Sequence, residues 1–156
     1  MSISATLRAY LDQNNIKYTL CSHSRAYTAQ ELAAAMHVPG REMAKVVIVK
    51  IDGQFAMLVL PAPHHINFER LREAMSADQV ELATEAEFQR LFPDCEIGAM
   101  PAFGNLYGLP VYVARPLTRD EEIVFNAGSH MDAIRMKYAD FKRLVNPRVL
   151  DYTYVP

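Results

Sequence analysis

Cysteine is nearly absent: Cys21 and Cys95 are the only two in 156 residues. They stand in no CxxC spacing, and neither an HExxH nor a Cys/His cluster occurs. This excludes a disulfide framework and a zinc site of the usual ligand spacing, and no metal is expected. There is no P-loop and no GxGxxG, so no cofactor is expected. Blocks of like charge, Gly/Ser linkers and repeats are also missing. The net charge of -2 shows no basic excess. A protein that coats duplex nucleic acid is therefore excluded, and DNA is not an expected partner. Residues 97–114 carry no charge, but Gly98, Pro101, Gly104, Asn105, Gly108 and Pro110 break them up. A bilayer would leave that backbone unpaired, so no membrane partner is expected. No basic stretch followed by an apolar one opens the chain, which reads against a signal peptide. Free thiols in the cytoplasm are the expectation.

What is present is ordinary globular composition, 51% hydrophobic and 22% charged. The length suits one domain over residues 1–156. Ile3, Leu7, Tyr10 and Leu11 predict a helix over 2–14, capped by Ser2 or Ser4. Residues 16–22 alternate as a strand. Thr28 and Glu31 form a capping-box pattern before a helix over 29–37, which Pro39-Gly40 stops. Residues 43–51 and 54–61 are apolar runs joined by Asp52-Gly53, a hairpin signal. A short helix is expected over 68–75. A second capping box, Thr84 with Glu87, opens a helix that runs to Phe92. Strands are expected at 111–114, 122–126 and 133–137, then a helix over 138–145 and an apolar tail from 149. Strands crowd the middle and helices the ends, an α+β order.

Three places can carry chemistry. The first is Gly98-Ala99-Met100-Pro101, followed by Phe103-Gly104. Glycine lets backbone approach a ligand closely, and proline fixes one φ. Such a bend can aim successive N–H groups at one oxygen, as an oxyanion site requires. The same composition also suits a plain turn. The second is Lys45, between Ala44 and Val46 in an apolar strand. Pointing inward, it needs an anionic partner such as a phosphate or carboxylate; otherwise its ammonium reaches solvent from the strand's start. The third is Asn126-Ala127-Gly128-Ser129-His130, where a turn can set His130 in a cleft for hydrogen bonding or proton handling. A loop or surface role for that histidine stays open. Ser129 and His130 are not a dyad, because neighbours on a strand face opposite ways. Cys95 is a nucleophile candidate only if something lowers its pKa, and nothing in the sequence does.

In order and spacing these features resemble the YbaK/prolyl-tRNA synthetase-associated domain family. The pieces are residues 18–28 with the following helix, Ala44-Lys45, the 98–104 loop and residues 126–130, and the match runs from about residue 17 to about 145. The resemblance implies a mixed, barrel-like β-sheet surrounded by helices. It also implies a free-standing aminoacyl-tRNA deacylase that edits in trans, hydrolysing the ester of mischarged tRNA without metal or covalent nucleophile. Its partners would be the aminoacylated 3′ end of a tRNA and an aminoacyl-tRNA synthetase. In family terms Lys45 matches the lysine that holds the 3′-terminal adenosine or its phosphate. Gly98, Ala99, Met100 and Pro101 match the substrate-binding loop, and His130 matches the lining of the aminoacyl pocket. Thr28, Met100 and Phe103 are expected as pocket walls, with Asn126, Gly128 and Ser129 beside the substrate. Several members space the loop as GxxxP, whereas here it is Gly98-x-x-Pro101. Two rivals remain: a non-catalytic module of the same fold that binds tRNA, a nucleotide or a synthetase, and a thiol hydrolase built on Cys95.

Overall fold

The computed structural model describes residues 3–22, 29–36 and 38–156. Helix α1 is Ala5–Gln13; Ser4 caps it by accepting from Leu7 N–H, and Leu7 and Leu11 bury its inner face. Strand β1 is Tyr18–Ser22 and helix α2 is Ala29–Met36. The Thr28 end of the first capping box lies outside the described residues. Strands β2 (Ala44–Ile51) and β3 (Gln54–Pro61) form the expected hairpin. Asp52 and Gly53 both have positive φ, the conformation that matches a two-residue turn to the strand twist. Then come β4 (His65–Ile66), α3 (Phe68–Ala74, capped by Asn67) and β5 (Val80–Leu82).

Thr84 and Glu87 make both bonds of the capping box at the start of α4, Glu85–Phe88. The α-helix ends four residues short of Phe92 and tightens into a 3-10 turn, Gln89–Leu91. Pro93 accounts for this, since the residue before a proline is pushed out of helical conformation. Strand β6 is Val111–Ala114 and β7 is Glu122–Ser129. Strand β7 is three residues longer than expected, because Gly128 keeps it going through an irregular step. Strand β8 (Asp132–Lys137), helix α5 (Tyr138–Val145), β9 (Arg148–Leu150) and β10 (Thr153–Tyr154) complete the chain.

The architecture is mixed α+β. A five-stranded sheet runs β5-β2-β3-β6-β9, with β3–β6 and β6–β9 parallel and the rest antiparallel. A three-stranded sheet runs β1-β8-β7, and β4 pairs with β10. The hydrogen-bonded ladders of the described residues do not close into a barrel. Instead a single parallel bridge, Met43 to Val124, links the two larger sheets. Their facing sides enclose the main core: Ile48, Met57, Val59 and Val113 from one, Ile123, Phe125, Ile134 and Met136 from the other. Helices α1 and α5 contribute Leu7, Leu11 and Phe141. The outer side of β2 and β3 carries a second cluster with Leu71 and Tyr152. Met43, Val124, Ala133 and Ala33 of α2 form a third. The junction of β2 and β7 thus lies between these outer clusters, and the candidate site is there.

Candidate active site

The end of β7 organises the site. Gly128 sits at φ +106, and a Cβ there would lie 2.9 Å from both Cβ and backbone nitrogen of Ser4. Only glycine admits that approach. The N-terminal segment uses the space: Ser4 N–H donates to the Ala127 carbonyl at 2.7 Å. The same stretch clamps the bend after Cys95. Gly128 N–H donates to the Ala99 carbonyl at 2.9 Å, and Glu96 N–H donates to the Gly128 carbonyl at 2.8 Å. His130 is 5% exposed, and its Nε2 donates to the Ile97 carbonyl at 2.8 Å. A Cβ on Gly98, which has φ +85, would lie 3.4 Å from the His130 ring. Gly98, Ala99, Gly128 and His130 are therefore brought together, although about thirty residues separate the bend from the end of β7.

Beneath the bend lies a polar cluster that the sequence did not disclose. Asp94 accepts from Ser4 Oγ at 2.5 Å, Tyr107 Oη at 2.9 Å and Thr6 N–H at 3.2 Å. Burial alone would raise this carboxyl, but the hydrogen bonds from Ser4, Thr6 and Tyr107 outweigh it and hold the pKa at about 2. Burial pushes the neighbouring Cys95 thiol up to about 12, aided by the Asp94 charge against opposing hydrogen bonds. At neutral pH it is a thiol, which argues against the thiol-hydrolase rival. Nothing local in the sequence signals this cluster, since its members span residues 4 to 107.

Several expected contacts are corrected. Phe103 is fully buried, packed on Phe125 and Phe141 with ring centroids 5.8 and 5.6 Å away. It is a core residue, not a pocket wall. Met100 is 5% exposed and turned inward, its Sδ 3.2 Å from the Gly98 N–H. Pro101 is buried as well. The Ala99 N–H donates to the Glu96 carbonyl at 3.1 Å, so it is engaged in the turn. An oxyanion role for the bend narrows to the Met100 amide, joined by the Gly98 N–H only if a substrate oxygen displaces the Met100 sulfur from it. Ser129 is buried; its hydroxyl donates to Asp132 at 2.7 Å and accepts from Met131 N–H. That ties the β7–β8 turn and engages the hydroxyl within the turn itself. Thr28 lies outside the described residues.

Lys45 and Asn126 stand apart from the bend but on a common face. Asn126 is paired across the sheet with Ala133, which packs with Met43 and Val124. Lys45 follows Met43 by two residues, and Asn126 follows Val124 by two, so strand alternation puts both on that face. From Asn126 to Gly128 is two residues of strand, roughly 7 Å. Asn126 Oδ1 is buried without a hydrogen-bond partner among the described residues. Lys45 is half-buried, and no ion pair holds its ammonium among the described residues. Burial alone lowers its pKa. It opens on a groove of about 390 Å³ shared with His65, Phe68, Leu82 and Tyr154. Among the described residues the arrangement offers a cation without its anion in the groove and, on β7, a carboxamide oxygen without its donor two residues from the glycine that clamps the bend.

The fold is a small α+β domain in which a half-buried lysine lies on a strand of the five-stranded sheet and a glycine-bearing bend is clamped to a strand of the three-stranded one. The family model for the aminoacyl-tRNA editing domain matches residues 23–144, and the chain belongs to that family. It is 37% identical over 75 residues to the proline–tRNA ligase of Staphylococcus saprophyticus subsp. saprophyticus, a stretch covering 48% of this chain and 12% of the ligase. Against the proline–tRNA ligase of Staphylococcus aureus strain Newman it is 38% identical over 74 residues, 47% of this chain and again 12% of the ligase. The match thus spans about an eighth of those relatives' length. The fold is shared with a crystal structure described as a candidate trans-editing enzyme for prolyl tRNA synthetase, with TM-score 0.83, 19% identity and 99% of each chain covered. It is also shared with a hypothetical protein at TM-score 0.85 and 18% identity, covering 96% of this chain and 99% of that one.

Proposed function

We propose that this protein edits in trans: it hydrolyses the ester that joins a wrong amino acid to the 3′-terminal ribose of a tRNA. The observation that carries the reading, beyond family membership, is Lys45. A half-buried cation with no partner among the described residues is costly unless a ligand supplies the anion. A phosphate of the terminal nucleotide is a suitable one. Asn126 Oδ1 then takes a hydrogen bond from a ribose hydroxyl or from the α-ammonium of the amino acid. The Met100 amide polarises the ester carbonyl, and the Gly98 N–H joins it by exchanging its weak bond to the Met100 sulfur for the substrate oxygen. Water, activated by the neighbouring 2′-hydroxyl, attacks the carbonyl carbon. The bond to the ribose 3′-oxygen breaks, and that oxygen leaves protonated as the 3′-hydroxyl. His130 is a positioning residue that pins the bend through Ile97. The scheme uses neither a metal nor a covalent nucleophile, because an aminoacyl ester is labile enough for positioning and charge stabilisation to suffice. The ligases it resembles are named for proline, so tRNA specific for proline is the first substrate to test. The reaction belongs in the cytoplasm, where charged tRNA is used.

One observation favours a second reading. With the Ala99 amide engaged in the turn, the bend offers fewer donors than an oxyanion site of three amides. A non-catalytic module that binds the aminoacylated end, or the synthetase, would need none. A panel of mischarged tRNAs incubated with the protein separates the two. Faster ester loss on at least one supports hydrolysis; saturable binding with an unchanged ester lifetime on all supports the module.

A further inference from the structure

At the opposite end of β7 from His130 lies a second cavity, of about 620 Å³, lined by Arg115, Thr118, Asp120, Lys137, Tyr138 and Lys142 among others. The length of β7, seven residue steps, puts it roughly 23 Å from the bend. Two polar atoms in its wall are buried and have no hydrogen-bond partner among the described residues: Asp120 Oδ2 and Tyr138 Oη. Tyr138 is 7% exposed, its ring fixed against Phe141 at 5.8 Å. Its backbone N–H donates to the Glu121 carbonyl at 2.9 Å, which sets the phenol beside the Asp120 segment. A buried hydroxyl and a buried carboxylate oxygen with nothing to bond cost stability, and a native site that retains both is built for something that satisfies them. Lys137 and Lys142 are exposed at the rim, as is Arg115, which also pairs with Asp151 at 2.9 Å.

The chemistry required is mixed. Asp120 Oδ2 accepts, so it needs a ligand hydroxyl or amine. Tyr138 Oη donates, so it needs a ligand oxygen. The rim cations need an anion a few ångströms away. A simple anion leaves the carboxylate unsatisfied, and a simple sugar leaves the cations so. We infer that this cavity binds a ribose–phosphate unit, with the ribose hydroxyls on Asp120 and Tyr138 and the phosphate on Lys137, Lys142 and Arg115. A carboxylate reading a ribose 2′-hydroxyl is a recurrent device, and that hydroxyl separates RNA from DNA. The volume suits a nucleotide. Burial, with repulsion from Glu42 against attraction from Arg41, raises the Asp120 carboxyl to about 6, which still leaves it mostly ionised and accepting at pH 7.5. The inference does not depend on the editing reading. The unit has two sources, a free nucleotide or the backbone of a bound RNA.

The test is titration of the full chain at pH 7.5, followed by NMR shifts of Thr118, Asp120 and Tyr138. The probes are AMP, 2′-deoxy-AMP, inorganic phosphate, and one hairpin made as RNA and as DNA. AMP or the RNA hairpin should bind at least about tenfold more tightly than its deoxy counterpart or phosphate, the worth of one charged hydrogen bond. Binding by AMP assigns the free nucleotide, and binding by the hairpin alone assigns RNA. Asp120→Asn should abolish the ribose preference and keep the phosphate response. Tyr138→Phe should weaken AMP or RNA hairpin binding severalfold, yet leave the unliganded melting temperature unchanged or raised, because it deletes an unsatisfied hydroxyl. A purely structural tyrosine would show the reverse. Shifts equal for ribose, deoxyribose and phosphate, no shifts with any probe, or a destabilised Tyr138→Phe would overturn the inference.

Discussion

The amide of Gly128 and the carbonyl of Ala99 meet at 2.9 Å, joining the end of β7 to the bend after Cys95. The return bond from Glu96 N–H to the Gly128 carbonyl makes the junction two-stranded in effect. Everything the bend can do for a substrate depends on this clamp, and the clamp depends on a glycine with no room for a side chain.

Gly128→Ala is therefore expected to destabilise the protein. The new methyl would meet Ser4 at 2.9 Å in a backbone conformation that L-residues avoid. A cost of about 1–3 kcal/mol lowers the melting temperature by roughly 3–10 °C. A thermal scan within a degree of wild type would show that the segment relaxes without strain.

Asp94 gives the fold an acid limb. Its folded pKa of about 2 lies below the usual 3.8, so its contribution is complete above 3.8 and disappears as the pH falls towards 2. Asp94→Asn should lower the melting temperature at pH 7 and reduce the wild type's loss between pH 4 and pH 2. Melts of both proteins across that range check it. Parallel pH curves would mean the carboxylate is not the group that titrates.

Cys95 should behave as an inert core thiol. With its pKa pushed up to about 12 and 9% of its surface exposed, it is expected to resist an aromatic disulfide reagent in the folded protein and react only on unfolding. The half-exposed Cys21 should be labelled first. Cys95→Ser should keep editing activity within about threefold, since a positioning role would cost little and a nucleophile's loss would cost orders of magnitude. An inactive but folded Cys95→Ser revives the thiol rival.

Lys45 should weaken the unliganded protein. Burial lowers its folded pKa below the usual 10.5, so folding pays for the charge at neutral pH and the penalty lifts only as the pH rises towards 10.5. Lys45→Met should therefore melt at or above the wild-type temperature at pH 7. A clear fall would point to a stabilising partner for the ammonium.

The long elements were legible because each carries a repeated signal. Asp52-Gly53 fixed the β2–β3 hairpin, and Thr84 with Glu87 fixed the start of α4. Strands β4, β5, β9 and β10 have two or three residues, too few for any alternation to register. At the site, motif order located the bend and residues 126–130, but not which side chains turn inward. Met100 and Phe103 read equally well as pocket or core until the packing of Phe103 between Phe125 and Phe141 decided it. The Ser4–Asp94–Tyr107 cluster is a meeting of distant segments, and no local pattern encodes it.

On the proposed mechanism Lys45 supplies the charge that holds the substrate's end. This is tested most directly by single-turnover deacylation of a mischarged proline tRNA by wild type and Lys45→Ala, each with a matched thermal melt. The expected result is a loss of roughly 30-fold or more with an undiminished melting temperature, the worth of one charge-assisted contact in the transition state. An alanine variant that deacylates within threefold of wild type would contradict it.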